Sequence, residues 1–246
     1  MVGVKFKVAA WRAWAPGLET CEAWQDWAGS ARTEPSVVWT GHRLQPLMQR
    51  RVGSLGQKVV SATLDCPAAG HSRYILASRH GDLARTVGLL KTLANAEPLS
   101  PTEFSMSVHH ALAGLISIHT GNREGHTAIA AAADTFGFGF LEAVSYVAAE
   151  AKPALLIFCD APLPDAYQAF AEPDDALPLV VALQLEPASD TEPHCVFAPS
   201  PNSASAHQRG VHTAQAPRDF LRFLLSGASE AVSPGQRMDW RWHRVH

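Results

Sequence analysis

The spacing of apolar and polar positions changes several times along the chain and marks out alternating strands and helices. Val4 to Ala10 alternates apolar and polar side chains and predicts a first strand. Apolar runs of strand length recur at Arg73–Ser78, His126–Ala133, Ala154–Cys159 and Leu177–Leu185. Helical spacing fills the gaps: Leu44–Leu64, weakened by Gly53 and Gly56, then Asp82–Ala94, Phe104–His119, and a segment that Asp134 is placed to cap and that runs to about Ala151. Pro98 and Pro101 bracket a break. From Pro187 to His212 the shift to Pro, Ser, Asn and His predicts a surface loop. A short amphipathic helix follows at Arg218–Leu225, and the tail Met238–His246 alternates Trp240, Trp242 and Val245 with charges, as an edge strand does. The irregular region Trp11–Gly41 carries Trp11, Trp14, Trp24, Trp27 and Trp39, which read as a lid over a core edge or, alternatively, as a partner surface. Short buried strands alternating with helices predict an α/β fold: an open, mostly parallel sheet with helices on both faces, in a single domain spanning 1–246.

Composition narrows the function classes. The chain has 246 residues, of which 47% are hydrophobic and 17% charged, enough to build one core and unlike a disordered chain. A net charge of -3 leaves no basic field for phosphate, which argues against a nucleic-acid partner. No apolar run approaches the roughly 20 residues of a membrane span. The N-terminus alternates like a strand instead of showing the charged-then-apolar order of a signal peptide, so a cytoplasmic protein is expected. Cys21, Cys66, Cys159 and Cys195 lie too far apart for a zinc site or a disulfide framework.

The candidate chemistry is sparse. Gly137-Phe138-Gly139 opens a helix, but the third glycine of a dinucleotide fingerprint is missing and Asp134 would repel a pyrophosphate. Small residues for helix–strand packing explain it better. His109-His110, with His119 and His126, tempts a metal assignment, yet adjacent residues on a helix point about 100° apart and no HExxH pattern occurs. Neither a phosphate loop nor a GxSxG elbow is present. Cys159 ends a strand and precedes Asp160, whose charge raises a thiol pKa. No metal and no cofactor are expected. An independent acyl-transferase or hydrolase using Cys159 or the His109/His110 pair, or a homodimeric acyl-binding scaffold, stands as the alternative reading.

A series of short motifs carries a resemblance. Ser100-Pro101, Ala113-Gly114, Ser117-Ile118, Gly121-Asn122-Arg123 and Thr127-Ala128-Ile129-Ala130 resemble the middle of a β-ketoacyl synthase. Arg50-Arg51, followed by Gln57 and Ala62, is similar to the family's Arg-Arg helix, and Leu155–Cys159 stands where synthases have a strand ending in Gly-Gly. The resemblance covers about Val4 to Leu185 and implies one half of a thiolase-like fold: a mixed, mostly parallel five-stranded sheet with helices on both faces, its core at about 4–186 and a C-terminal extension at about 187–246.

The departures from the family pattern say more than the matches. Ala133 falls at the position of the nucleophilic cysteine, and Ala130, Ala131 and Ala132 beside it carry no reactive group either. The family's asparagine is His110, and the Gly-Pro of its turn is Glu124-Gly125. Its two catalytic histidines belong to a second repeat for which this chain shows no motifs. The sequence is thus similar to the short ketosynthase-like proteins of bacterial aryl polyene and xanthomonadin-type systems, whose Trp-x-Ala-Trp-x-Pro-Gly opening is matched by Trp11 to Gly17. The resemblance implies a chain length factor: a silent subunit that pairs with an active ketosynthase, meets the acyl carrier protein through that complex, and shapes the acyl tunnel. It also implies that Phe104, Met106, Ser107, Val108 and His110 face the tunnel or the partner. Thr127, Ile129 and Ala131 would lie on the edge strand where the two subunits pair.

Overall fold

The computed structural model describes residues 3–29, 41–171, 177–202 and 214–245. Its strands are β1 (Val4–Trp14), β2 (Arg73–Ala77), β3 (His126–Ile129), β4 (Ala154–Asp160), β5 (Leu179–Glu186), β6 (His194–Phe197), β7 (Ser200–Pro201), β8 (Glu230–Pro234) and β9 (Met238–Val245). Its helices are α1 (Cys21–Trp27), α2 (Pro46–Gln49), α3 (Ser54–Leu64), α4 (Leu83–Ala94), α5 (Pro101–Met106), α6 (Ala111–Thr120), α7 (Thr135–Glu150) and α8 (Gln215–Ser226). The sheet is nine-stranded and mixed, in the order β3-β2-β4-β5-β1-β6-β9-β7, with β8 paired to β9. β2 lies parallel to both β3 and β4, whereas β5 runs antiparallel to β4 and β1. That five-stranded part is the expected half; the extension adds β6 to β9, all antiparallel.

Helices on both faces explain why β4 and β5 read as continuous apolar runs: each is covered twice. On one face α7 and α8 close over Phe6, Phe140, Phe158, Phe197, Phe220 and Trp242. Phe140 alone touches the rings of Phe6, Phe197, Phe220 and Trp242. On the other face α3 and α6 pack Val59, Val60, Ala62 and Ile116 on Tyr74, Leu155 and Ile157. Gly137 and Gly139 serve this packing. A Cβ at Gly137 would lie 2.0 Å from the Trp240 ring, and one at Gly139 would lie 2.7 Å from the Ala77 Cβ.

Several expectations are corrected. β1 continues to Trp14, so Trp11 and Trp14 lie on a strand opposite Leu183 and Val180, not in an irregular region. Trp24 is buried edge-on against Trp27, and the Arg222 guanidinium lies 4.5 Å above the Trp27 ring, which makes this pair part of the core edge; Trp39 lies outside the described residues. Gly53 splits the first long helix into α2 and α3. Phe104–His119 is also two helices: Ser100 caps α5 by accepting from the Glu103 amide, and α5 ends at Met106. β3 stops at Ile129, so Ala131 leaves the edge strand. β6 and β7 occupy ground predicted as loop. β9 is an interior strand flanked by β6 and β8, not an edge.

Candidate functional site

The link from β3 to α7 is a tight turn with its polar groups paired. Ala132 adopts a left-handed φ of 53°, costly for alanine and imposed by the contacts around it. The Thr135 hydroxyl accepts from the Ala131 amide at 3.0 Å and donates to the Ala132 carbonyl at 2.7 Å. Asp134 is fully buried, but it does not cap α7 with its side chain. Its carboxylate accepts from the backbone amides of Gln236 and Arg237, at 2.8 Å each, in the β8–β9 turn. The Arg237 guanidinium reaches the Ala131 carbonyl at 3.5 Å. A Cβ at Gly235 would lie 2.2 Å from Asp134 Oδ1, so only glycine lets the turn sit this close. Alanines at 131–133 and a hydroxyl already bonded twice offer nothing that attacks a thioester.

A second feature lies at the C-terminal ends of β2 and β4. A cavity of about 300 Å³ opens between the start of α3, the β2–α4 loop and the α5–α6 linker. Val52, Leu55, Val59, Leu76, Met106 and Leu112 contribute its apolar wall, with Val108 and Cys159. Ser78, His80, Asp82, Arg85 and His109 supply its polar atoms. Ser78 donates to Asp160 at 3.0 Å and accepts from the Gly81 amide at 2.9 Å. Asp82 caps α4 through the Arg85 amide and pairs with the Arg85 guanidinium, which also reaches Glu103 and the Arg51 carbonyl. Burial, and then the Asp160 charge, push the Cys159 thiol up to about 12, so it is inert at neutral pH. Burial also raises Asp160 itself to about 7, despite the bonds from Ser78 and the Arg79 amide.

The adjacent histidines diverge. His109 lies across Gly81, its ring atoms 3.2–3.4 Å from where a Cβ would stand, and the left-handed φ of +60° there also favours glycine. His110 stacks on His126, ring centroids 5.7 Å apart. Burial, His110 and Arg73 together lower the His126 pKa. Among the described residues no group of three or more His, Cys, Asp or Glu is arranged to hold a metal ion. Nor is any described helix long and apolar enough to cross a membrane.

The model for the beta-ketoacyl synthase N-terminal domain matches residues 24–243. The chain belongs to that family. A search of the curated proteins gives no match. Among solved structures, a ketosynthase (ApeO) in complex with its chain length factor (ApeC) from Xenorhabdus doucetiae is similar, with a TM-score of 0.79 and 25% identity, covering 98% of this chain and 100% of that chain. The ishigamide ketosynthase/chain length factor shares the fold at a TM-score of 0.57 and 15% identity, over 83% of this chain and 66% of that one. So does a type II polyketide ketosynthase bound to its acyl-carrier protein (AntDE:AntF), with a TM-score of 0.69, 9% identity, and coverage of 99% of this chain and 100% of that chain.

Within this ketosynthase-family fold the residues singled out from sequence fall in three places. Met106 is buried in the cavity wall and Val108 lines the cavity while 40% exposed. Phe104 is 63% exposed, so it is not a core residue beneath the helix. The Ser107 hydroxyl donates to the Phe104 carbonyl and closes α5. His110, with His126, sits beside β3. Along β3, which is terminal in the sheet, Thr127 accepts from Arg73 at 3.1 Å and Ile129 packs toward the core, while Ala128 points out. Ala131 belongs to the turn, held there by Thr135 and Arg237. Reading the sequence missed the Asp134 clamp, the His109–Gly81 contact and the burial of Asp160. Gly81-Asp82, a glycine before a helix cap, was the one local signal that something needed room there.

Proposed function

We propose that this chain is a non-catalytic, chain-length-factor-like subunit of a ketosynthase heterodimer in an aryl polyene-type biosynthetic system. The observation that carries the reading is a pairing within one fold: an all-alanine turn with its polar groups spent, and an open apolar cavity walled by Met106 and Val108. A subunit that cannot hold an acyl chain covalently can still limit the space into which one grows. The partner would supply the thiol and both histidines, and the carrier protein would reach the complex through it. The likeness to a ketosynthase–chain length factor complex at 25% identity supports the pairing. Cys159 does not serve as an alternative nucleophile, because its thiol stays protonated.

The exposed edge of β3 is the face proposed for the partner, and Phe104 on α5 and Ile118 on α6 are the exposed apolar side chains proposed to join it. A single domain would then comprise the five-stranded core and an extension whose strands continue its sheet, located with its carrier protein in the cytoplasm. The test is co-expression with an active ketosynthase from the same organism. The wild-type chain should co-elute with that enzyme. Ala128→Lys, an outward charge on the edge that leaves the monomer core untouched, should abolish co-elution while keeping a wild-type melting curve. In the assembled complex Met106→Ala should lengthen the products read by mass spectrometry. Unchanged products from an intact complex would sink the tunnel assignment.

A further inference from the structure

The terminal strand carries a cluster of cation-forming side chains that neither the β3–α7 turn nor the cavity uses. His126 opens β3 at the edge of the sheet, and its ring stacks on that of His110, the residue preceding α6, with the two planes 28° apart. On the neighbouring strand β2, Arg73 donates to the Glu124 carbonyl at 3.4 Å and to the Thr127 hydroxyl at 3.1 Å. Its guanidinium lies 5.4 Å from the Tyr146 ring of α7. Arg123 is exposed on the loop that leads into β3, and the carboxylate of Glu124 on that loop is held by Lys152 at 3.0 Å. Among the described residues no carboxylate, Glu142 and Glu150 of α7 included, pairs with Arg73 or with either imidazole. The charges acting on His126 are those of His110 and Arg73, and both oppose its protonation. In a chain of net charge -3, this end of the pairing edge is locally positive and has no negative group to answer it.

We propose that the edge of β3 receives a strand of the ketosynthase partner that brings a carboxylate to the His110–His126 pair. The inference rests on the heterodimer reading above and adds the chemistry the partner must carry. A carboxylate within about 4–6 Å favours the charged imidazole, reversing what His110 and Arg73 do to His126 in the isolated chain. The complex then holds a proton more tightly than its separated subunits, so affinity rises as pH falls and levels off once the isolated chain is itself protonated. Each unit by which the partner raises the His126 pKa is worth tenfold in affinity on the acid side. A second copy of this chain fits worse, because it presents the same two imidazoles and the same Arg73, and like charges brought together across an interface repel. One cluster thereby selects an acidic partner and disfavours self-pairing.

The test is calorimetric titration of the full chain with the purified ketosynthase from pH 8 to pH 5.5, in buffers of different ionisation enthalpy so that proton uptake is read directly. Binding should tighten about tenfold across that range, with net uptake of protons. His126→Gln should flatten the pH dependence at the weaker, alkaline value. His126→Lys, charged at every pH in the range, should hold the tighter, acid value up to pH 8. Affinity that is level or falls on acidification, release of protons, a pH dependence that survives His126→Gln, or a lysine variant that binds more weakly than the glutamine one would overturn the inference. Should a β3 variant not fold, His110→Gln on the exposed residue before α6 must reduce the pH dependence instead. Sedimentation of the chain alone adds a second check, since self-association that strengthens as pH falls contradicts the repulsion between copies. The two readings fail separately. A complex that forms with level affinity leaves the heterodimer standing and removes its acidic contact, whereas no complex at any pH removes both.

Discussion

The β3–α7 turn and the cavity beside Met106 sit on the same sheet and differ in almost every respect that matters to function. At the turn, a buried carboxylate and a hydroxyl are each bonded twice within the chain, and the β8–β9 turn of the extension lies directly against them. At the cavity, the wall is largely apolar and space remains. The family fold normally concentrates its chemistry at the first place. Here the polar groups of that place are bonded within the chain, and the open space lies at the second.

The contrast breaks most severely if the extension is unseated from the turn. Trp240 is fully buried over Gly137 and edge-on to Phe138. Trp240→Ala should cost about 3–5 kcal/mol, the range for large aromatic truncations in a core. Hydrogen exchange would sharpen the result: the amides of Gln236 and Arg237 should lose protection, while the Gly81 amide at the cavity keeps it. Equal loss at both places would show that the two regions are one cooperative unit.

On the cavity side the expected effect is smaller and depends on pH. Asp160 holds its proton more tightly folded than unfolded, about 7 against an ordinary 3.9 or so. Its contribution to stability is thus complete below the unfolded value and is lost as pH rises through about 7. Asp160→Asn removes that dependence, so the variant should gain on the wild type by up to a few kcal/mol between pH 5 and pH 8. Denaturant midpoints measured across that range decide it, and parallel curves for the two proteins would contradict the burial that causes the shift.

What the sequence made legible follows from what is local. Apolar runs at Ala154–Cys159 and Leu177–Leu185 located the central strands because burial on both faces writes itself as continuous hydrophobicity. Three alanines in a row mark the end of β3 as a stretch with no reactive side chain. The end of β3 was misplaced by four residues because Ala130 to Ala133 has no polarity of its own. The turn there is imposed by Thr135 and, from more than a hundred residues away, by Arg237 and Gln236. Likewise β9 resembled an edge strand because its alternating charges are compatible with one; β6 and β8 pair with its two sides through contacts no local pattern records. Met106 and Val108 were singled out by resemblance, whereas His109 was weighed as a metal ligand or as half of a catalytic pair with His110. Its packing on Gly81, which sets it in the cavity wall, is a contact no local pattern records.

The smallest expected effect gives the sharpest comparison, for it asks whether the turn lacks only a thiol. Ala132 is the left-handed residue and Ala133 the buried one beside it, so Ala132→Cys and Ala133→Cys together cover both places a nucleophile can stand. Either thiol would lie beside the Asp134 carboxylate, whose charge opposes a thiolate. Thr135, the nearest hydroxyl, is committed to the turn's own backbone and cannot relay a proton. A positioned base alone is worth about 10²–10⁴-fold in rate, and the Asp134 carboxylate is already taken up by the Gln236 and Arg237 amides. Incubated with acyl-carrier donor beside a ketosynthase partner whose own cysteine is replaced by alanine, both variants should acquire acyl mass at least about 100-fold more slowly than the intact partner does. Intact-protein mass spectrometry over a time course measures this directly. Acylation at a comparable rate would mean that the turn retains its catalytic surroundings and wants only sulfur, and the two regions would then differ by one side chain instead of by design.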